Sequence, residues 1–359
     1  MKLQMRKRKN TKLNSLIKIC CLTGALFAYS TCAYAALDNN QLPSGGIWVA
    51  GGNSSLTGAN GVLNVIQNQQ NAVIKWNDFS IGANATVNFS KDGGGSFNIL
   101  NYVNGGNVSQ IYGTMNAKDG NVFLVNPAGT VIGKSAQINV GSLYVSNKKL
   151  DDGILNNFKG DSFKQDIANQ ATTGAQMMSL GNIMANKITF DGDRIVLDTE
   201  RVQTYAGGKL APENIVINTK NKDDVVLGYD AYDKTNGYKD KNDGTVLATV
   251  NGKDFTKADG YMWVKDAVQL QAIDTNLSGK YALHNSIDAT ATDKWYGSKG
   301  FKPIGVGADG IVSGTDTQKH GFTGKFDGLD NSIFGLTINR DNISNVGLFG
   351  VTQMPLLKM

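Results

Sequence analysis

Between Gly46 and Asp198 the chain alternates short apolar runs with Gly and Asn. Ile47-Trp48-Val49, Ala72-Val73-Ile74-Lys75-Trp76, Thr86-Val87-Asn88-Phe89, Val122-Phe123-Leu124-Val125, Gln137-Ile138-Asn139-Val140 and Lys187-Ile188-Thr189-Phe190 are typical. Each run is rich in β-branched or aromatic residues, the composition that suits a pleated, half-buried surface. The 3.6-residue period of an amphipathic helix is nearly absent. The pattern predicts an all-β fold, either a sandwich or barrel or a solenoid. Short, evenly spaced runs favour the solenoid, in which each rung buries its inner face against its neighbours. Rungs of about 22 residues fall within known repeat lengths. Stacked Asn and Ser are expected to form hydrogen-bonded ladders between rungs.

The texture changes after about Gly207. Ile215-Val216-Ile217 and Val225-Val226-Leu227 still read as strands. Residues 229–260 are rich in Asp, Lys and Asn and read as an insertion with little core of its own. From Trp263 to Ile273, Val264, Ala267, Val268 and Gln271 fall at helical spacing, which predicts the one helix. Strands resume at Tyr281-Ala282-Leu283 and Ile333–Ile338, and Gly347-Leu348-Phe349-Gly350 follows. Residues 351–359 lack the cap that a β-helix end needs, so a truncated end is expected there.

The first 35 residues belong to targeting rather than to the fold. Lys2, Arg6, Lys7, Arg8, Lys9, Lys12 and Lys18 precede an apolar run from Ile19 to about Ala28. Ala33-Tyr34-Ala35 then gives the small-x-small pattern of signal-peptidase cleavage, with Ala33 and Ala35 as the recognised positions. The apolar run is too short to span a bilayer. All three cysteines, Cys20, Cys21 and Cys32, lie in this segment, so the mature chain would carry no disulfide. Such a chain can cross a second membrane unfolded. The charge also changes sign. The segment holds seven of the 35 basic residues, leaving 28 against 30 acidic ones, a net of −2. That balance gives no support to nucleic-acid binding. The 43 glycines and five prolines fit a turn-rich β fold better than a disordered linker.

The most specific stretch runs from Ser109 to Ser146 and centres on Asn126-Pro127-Ala128-Gly129-Thr130. In a tight turn Pro127 sets φ at the second position, Asn126 bonds its own backbone, and Gly129 permits an exit with positive φ. This stretch resembles the two-partner-secretion domain of filamentous haemagglutinin and high-molecular-weight adhesins. There the turn reads Asn-Pro-Asn-Gly-Ile after a Val-Phe-Leu-Ile strand. Gly133, Ala136, Ile138, Asn139, Val140, Gly141 and Leu143 match the downstream motif, and residues 74–82 the upstream Ile-x-Trp-x-x-Phe-x-Ile-Gly. Leu100-Asn101-Tyr102-Val103 is similar to Leu-Asn-Arg-Val. The resemblance covers residues 37–150 and extends more loosely to about Gln203. Ala128, Thr130 and Tyr102 depart from the pattern; Ala128 still suits a turn. Residues 261–350 resemble the right-handed β-helix modules with Gly-Leu-Phe-Gly repeats in large bacterial adhesins.

Other chemistry is sparse. His284 and His320 have no partners at metal-ligand spacing and are expected at the surface. Asp191 with Asp193, or Asp327 with Asp330, falls short of a calcium loop. Asp92-Gly93-Gly94-Gly95-Ser96 precedes no helix and makes a poor phosphate cradle. Asn53, Asn84, Asn88, Asn107, Asn276 and Asn342 sit in glycosylation sequons. No enzyme activity, cofactor, metal or nucleic-acid partner is expected.

The resemblance implies an all-β, right-handed parallel β-helix (solenoid) with an N-terminal cap and short extra-helical hairpins. The divisions expected are 1–35 signal peptide, 36–206 secretion domain, 207–260 connecting strands and insertion, 261–350 adhesin-type β-helix, and 351–359 truncated end. The implied function is export and display of an adhesin. The chain would pass the Sec translocon and signal peptidase, then be recognised by a dedicated outer-membrane transporter of a Gram-negative-type bacterium. It would end secreted or on the cell surface, facing a receptor the sequence does not name. Outside the cell it would template the following rungs. The residues implied for transporter recognition are Asn126, Pro127 and Gly129, with Asn101 second. Alternatives are the front end of a contact-dependent toxin or haemolysin, a secreted β-helical polysaccharide lyase, and a fragment of a broken gene.

Overall fold

In this computed structural model, residues 37–50, 56–239, 243–306, 321–340 and 345–352 are described. The expected cleavage positions Ala33 and Ala35, His320, Asn53, Asn342 and residues 353–359 lie outside them. The chain divides into two compact units, one formed by residues up to 229 with 243–260, the other by 230–239 with 261–352. The boundary expected near Gly207 thus falls inside the first unit. No helix among the described residues is long and apolar enough to cross a membrane.

The first unit is a parallel β-solenoid. Strands Asn71–Trp76, Phe97–Val103, Thr114–Val125, Gln137–Ser146, Lys187–Asp191, Ile215–Asn218 and Val246–Val250 stack in order. A second parallel face runs from Ser109–Ile111 through Thr130–Ile132, Met177–Ser179 and Ile195–Asp198. Register places Ala72, Ile99, Val122, Leu143, Ile188 and Ile215 above one another. All are buried, so the stack removes an aliphatic column from water. A neighbouring column, Ile74-Asn101-Leu124-Val145-Phe190-Ile217, is aliphatic or aromatic except at Asn101.

The outer surface carries the expected ladders. Asn88 Nδ2 donates to Asn64 (3.0 Å), Asn116 to Asn88 (2.9 Å) and Asn139 to Asn116 (2.9 Å). Beside it, Asn98 donates to Asn71, Asn121 to Asn98, and Ser142 Oγ to Asn121, at 2.6–2.8 Å. Successive members of this second ladder are 27, 23 and 21 residues apart, which is the rung length. The in-register step from Ser142 to Lys187 is much longer because the chain makes an excursion there.

That excursion, residues 148–172, explains why some strands do not alternate. Val122-Phe123-Leu124-Val125 is buried at every position. Phe123 leaves the solenoid interior and meets Phe158 (5.2 Å) and Phe163 (5.9 Å) from the excursion. Tyr102, Tyr144, Leu150, Leu155 and Ile167 complete this second core. A strand covered on both faces reads as a continuous apolar run. The short helix Asp152–Asn156 within it is capped by Asp151, whose carboxylate accepts from Ile154 N at 2.8 Å. Lys148 pairs with Asp191 at 2.8 Å with both side chains buried, and Tyr144 donates to the same carboxylate at 2.5 Å.

Both ends of the main sheet are antiparallel. Ile47–Ala50 pairs antiparallel with Asn71–Trp76, and Lys253–Thr256 with Val246–Val250. One expectation changes here. Residues 243–260, read as lacking a core, bury Leu247, Ala248, Val250 and Phe255. The main sheet ends at strand Lys253–Thr256, whose Lys253 and Asp254 are exposed and give it a charged edge.

The second unit stacks Tyr261–Val264, Lys280–Leu283 and Lys325–Asp327 in parallel. The helix expected from Trp263 to Ile273 covers only Ala267–Ala272, with one 3₁₀ turn after it. Trp263 and Val264 are buried strand residues, and Asp266 starts the helix by accepting from Gln269 N at 2.8 Å. The Gly347–Gly350 stretch docks by backbone pairing of Ile304 with Leu348 and of Gly350 with Ile304. His284 is not at the surface: it is buried with its ring 4.9 Å from that of Trp263.

Candidate secretion-signal turn

Strand Thr114–Val125 ends where Asn126 begins a turn, and the chain re-enters the second face at Thr130. Gly129 N donates to Asn126 O at 2.9 Å, closing the turn across Pro127 and Ala128. Ala128 N donates to Asn126 Oδ1 at 2.8 Å, so the side chain repeats the closure. The amide of Asn126 donates to Asn107 O and Ser109 Oγ, each at 2.9 Å. Its backbone N–H donates to Ser146 O at 2.9 Å. Asn126 is 1% exposed and every polar atom of its side chain is engaged inside the protein.

Gly129 has φ +102°, and a Cβ there would stand 2.5 Å from Gln176 O. A larger residue meets both a strained backbone and a neighbouring rung. Pro127 and Ala128 are half-buried and form the accessible crest of the turn. Thr173 Oγ1 donates to Pro127 O at 2.6 Å, tying the end of the excursion to the crest.

Asn101 lies one rung before the turn and is fully buried. It accepts from Trp76 Nε1 at 3.0 Å and reaches Phe123 O at 3.4 Å. Trp76, which the upstream motif contributes, packs edge-on to Phe79 at 5.5 Å. Tyr102, on the opposite face, accepts from Leu150 N at 3.4 Å where the excursion begins. An aromatic at position 102 therefore belongs to the second core.

The four residues singled out by sequence do not form one surface. Asn126, Pro127 and Gly129 make one turn, and Asn101 lies inside the adjoining rungs. Ser109, at the start of the matched stretch, supports the turn, and so do Thr173 and Gln176, which carry no sequence signal because they lie far from it along the chain. Asp191 is engaged by Lys148 and Tyr144. Asp327 caps its own turn by accepting from Leu329 N at 2.9 Å. Among the described residues no three His, Cys, Asp or Glu side chains converge as for a metal ion.

The model of the family described as TPS secretion domain matches residues 41–315, more than half of the chain. The heme/hemopexin-binding protein of Haemophilus influenzae strain Rd is 31% identical over 201 residues, 55% of this chain and 21% of that protein. Halomucin of Haloquadratum walsbyi is 35% identical over 115 residues, 31% of this chain and 1% of that protein. The chain thus spans a minor part of the length of the curated relatives it matches. Among solved structures, the HMW1 secretion domain from Haemophilus influenzae aligns over 68% of this chain and 73% of that chain, with 16% identity and a TM-score of 0.35. The chain belongs to the TPS secretion-domain family: it is a two-partner-secretion domain.

Proposed function

We propose that this domain leads a longer bacterial surface protein, an adhesin of the haemagglutinin kind, out of the cell. The chain would enter the periplasm through the Sec translocon, lose its first 35 residues after Ala35, and meet its transporter there. On this reading the first unit carries the export signal, and the second begins the displayed region. No catalytic step is involved.

The turn at Asn126–Gly129 is the single observation behind this assignment. Its buried members hold a fixed crest, Pro127-Ala128, and the crest is what a transporter's periplasmic surface would touch. Asn126, Gly129 and Asn101 would then act by positioning. The name of the first relative favours a second passenger class, one that captures haem or a haem carrier, and that reading leaves the export role unchanged.

The test is secretion of residues 1–359 with and without the partner transporter gene. Transporter-dependent appearance in the medium of protein starting at Ala36 supports the reading. Equal retention in both strains overturns it. If the crest is the contact, Pro127→Asp lowers export while circular dichroism and thermal midpoint stay near wild type.

A further inference from the structure

The second unit contains a cavity of about 620 Å³ that the export role does not use. Three elements wall it. The first is a hairpin, Tyr232–Asp233 with Gly237–Tyr238. Its tip is held by Asp233, which accepts from Thr235 N (3.0 Å), Asn236 N (2.7 Å) and Asn236 Nδ2 (2.8 Å). Tyr232, Lys234 and Asn236 of this hairpin line the cavity. The second wall is the helix Ala267–Ala272 and the turn after it, which contribute Val268, Gln271 and Asp274. The third is Trp295-Tyr296.

The cavity has the marks of a built site. Tyr296, Gly297 and Ser298 are left-handed in succession, with φ of 51°, 67° and 65°. Non-glycine residues hold such angles only where their surroundings impose them, and ligand sites are a common place for it. Arg340 is part of what imposes them here. Its guanidinium lies 5.1 Å from the Tyr296 ring centre and donates to Phe301 O (3.2 Å) and Gly300 O (3.1 Å). The floor is also fixed. Gln271 accepts from Lys302 N at 2.8 Å and donates to Lys302 O at 2.9 Å. Asp274 pairs with Lys302 Nζ at 2.8 Å and accepts from Gly305 N at 2.8 Å. Against this framework Val268 is 54% exposed and Tyr296 58%, although both are large apolar side chains.

The lining chemistry identifies a ligand class. Tyr232, Trp295 and Tyr296 offer aromatic rings whose faces carry partial negative charge and attract the polarised C–H face of a sugar. The carboxamide of Asn236 suits hydroxyl groups. Lys234 and Lys302 against Asp274 leave one net positive charge, which favours an anion. The volume fits a few sugar rings and lies within the range of small-molecule sites. We propose that this cleft binds a short acidic saccharide.

The test is calorimetric titration of the full mature chain with a polygalacturonate hexasaccharide, a heparin hexasaccharide and, as neutral control, cellohexaose. At least one acidic probe should saturate the protein, and cellohexaose should bind about tenfold more weakly or not at all. Trp295→Ala should abolish the binding. Lys234→Glu, on an exposed turn, should weaken the acidic probe about tenfold without moving the thermal midpoint. Absence of saturable binding by both acidic probes overturns the proposal. So does binding that both variants leave intact, which would place it elsewhere, or equal binding of cellohexaose. Export of the Lys234→Glu chain should be normal, which separates this site from the secretion reading.

Discussion

The Asn126–Gly129 turn and the cleft beside Tyr296 spend their polar groups in opposite directions. At the turn, the conspicuous Asn126 has its amide, carbonyl and backbone all engaged by neighbouring rungs, and only Pro127 and Ala128 face outward. At the cleft, inward bonds such as those of Gln271 to Lys302 fix the floor. Aromatic and cationic groups remain outward, on residues that no motif marks. A memorable motif can thus be the internal scaffold of a site, while a site with free chemistry leaves no pattern in the chain. Both depend on strained or left-handed backbone, at Gly129 and at Tyr296–Ser298.

The largest expected effect lies next to the turn, where the excursion is pinned. Lys148→Met leaves Asp191 buried without its cation and should cost about 3–5 kcal/mol in chemical denaturation. A loss below about 1 kcal/mol would mean that Tyr144 alone satisfies Asp191. Gly129→Ala comes next. Strain at φ +102° and the approach to Gln176 O should cost about 1–3 kcal/mol and reduce export in parallel. Asn126→Ala removes the partner of Asn107 O, Ser109 and Ala128 N and should also cost about 1–3 kcal/mol. Loss of export by Asn126→Ala at unchanged stability would mean that Asn126 touches the transporter directly and is not an internal scaffold.

Alkaline titration probes both units. Tyr144 and Tyr238 are held above the ordinary tyrosine range, in each case first by burial; the Asp191 charge and its hydrogen bond add to it at Tyr144. The unfolded chain loses these protons first, so stability is full below about pH 10 and falls as pH rises above it. Tyr144→Phe should flatten that fall when thermal midpoints are followed from neutral to alkaline pH. The smallest effect is expected on the outer ladder. Asn116→Ala breaks two half-exposed side-chain bonds, to Asn88 and from Asn139, and should cost about 1 kcal/mol.

Much of the fold was legible because a solenoid is local in its logic. Each rung repeats a strand and a turn, so strand composition, Asn spacing and the Asn126–Gly129 turn chemistry could be read without knowing what packs where. The misreadings came where contacts are long-range. Val264 fits helical spacing and Trp263 opens the predicted helix, yet pairing with Lys280–Leu283 makes both of them strand residues. His284 looked solitary in sequence and is buried against Trp263. Residues 243–260 read as too polar for a core, because the buried Leu247, Ala248, Val250 and Phe255 are interspersed with Gly, Asn, Thr, Asp and Lys.

By itself, the sequence determined the all-β class, the rung period and the turn that Pro127 and Gly129 demand. These follow from backbone restrictions and from the two-residue period of strands. Only the tertiary structure decided that Phe123 and Tyr144 face a second core outside the solenoid, that Asn101 is an interior residue, and that three separated segments close around one cavity. Those outcomes depend on which rung lies next to which, and on an excursion folding back over its own strands. Register across 20 or more residues is set by packing, and no local pattern encodes it.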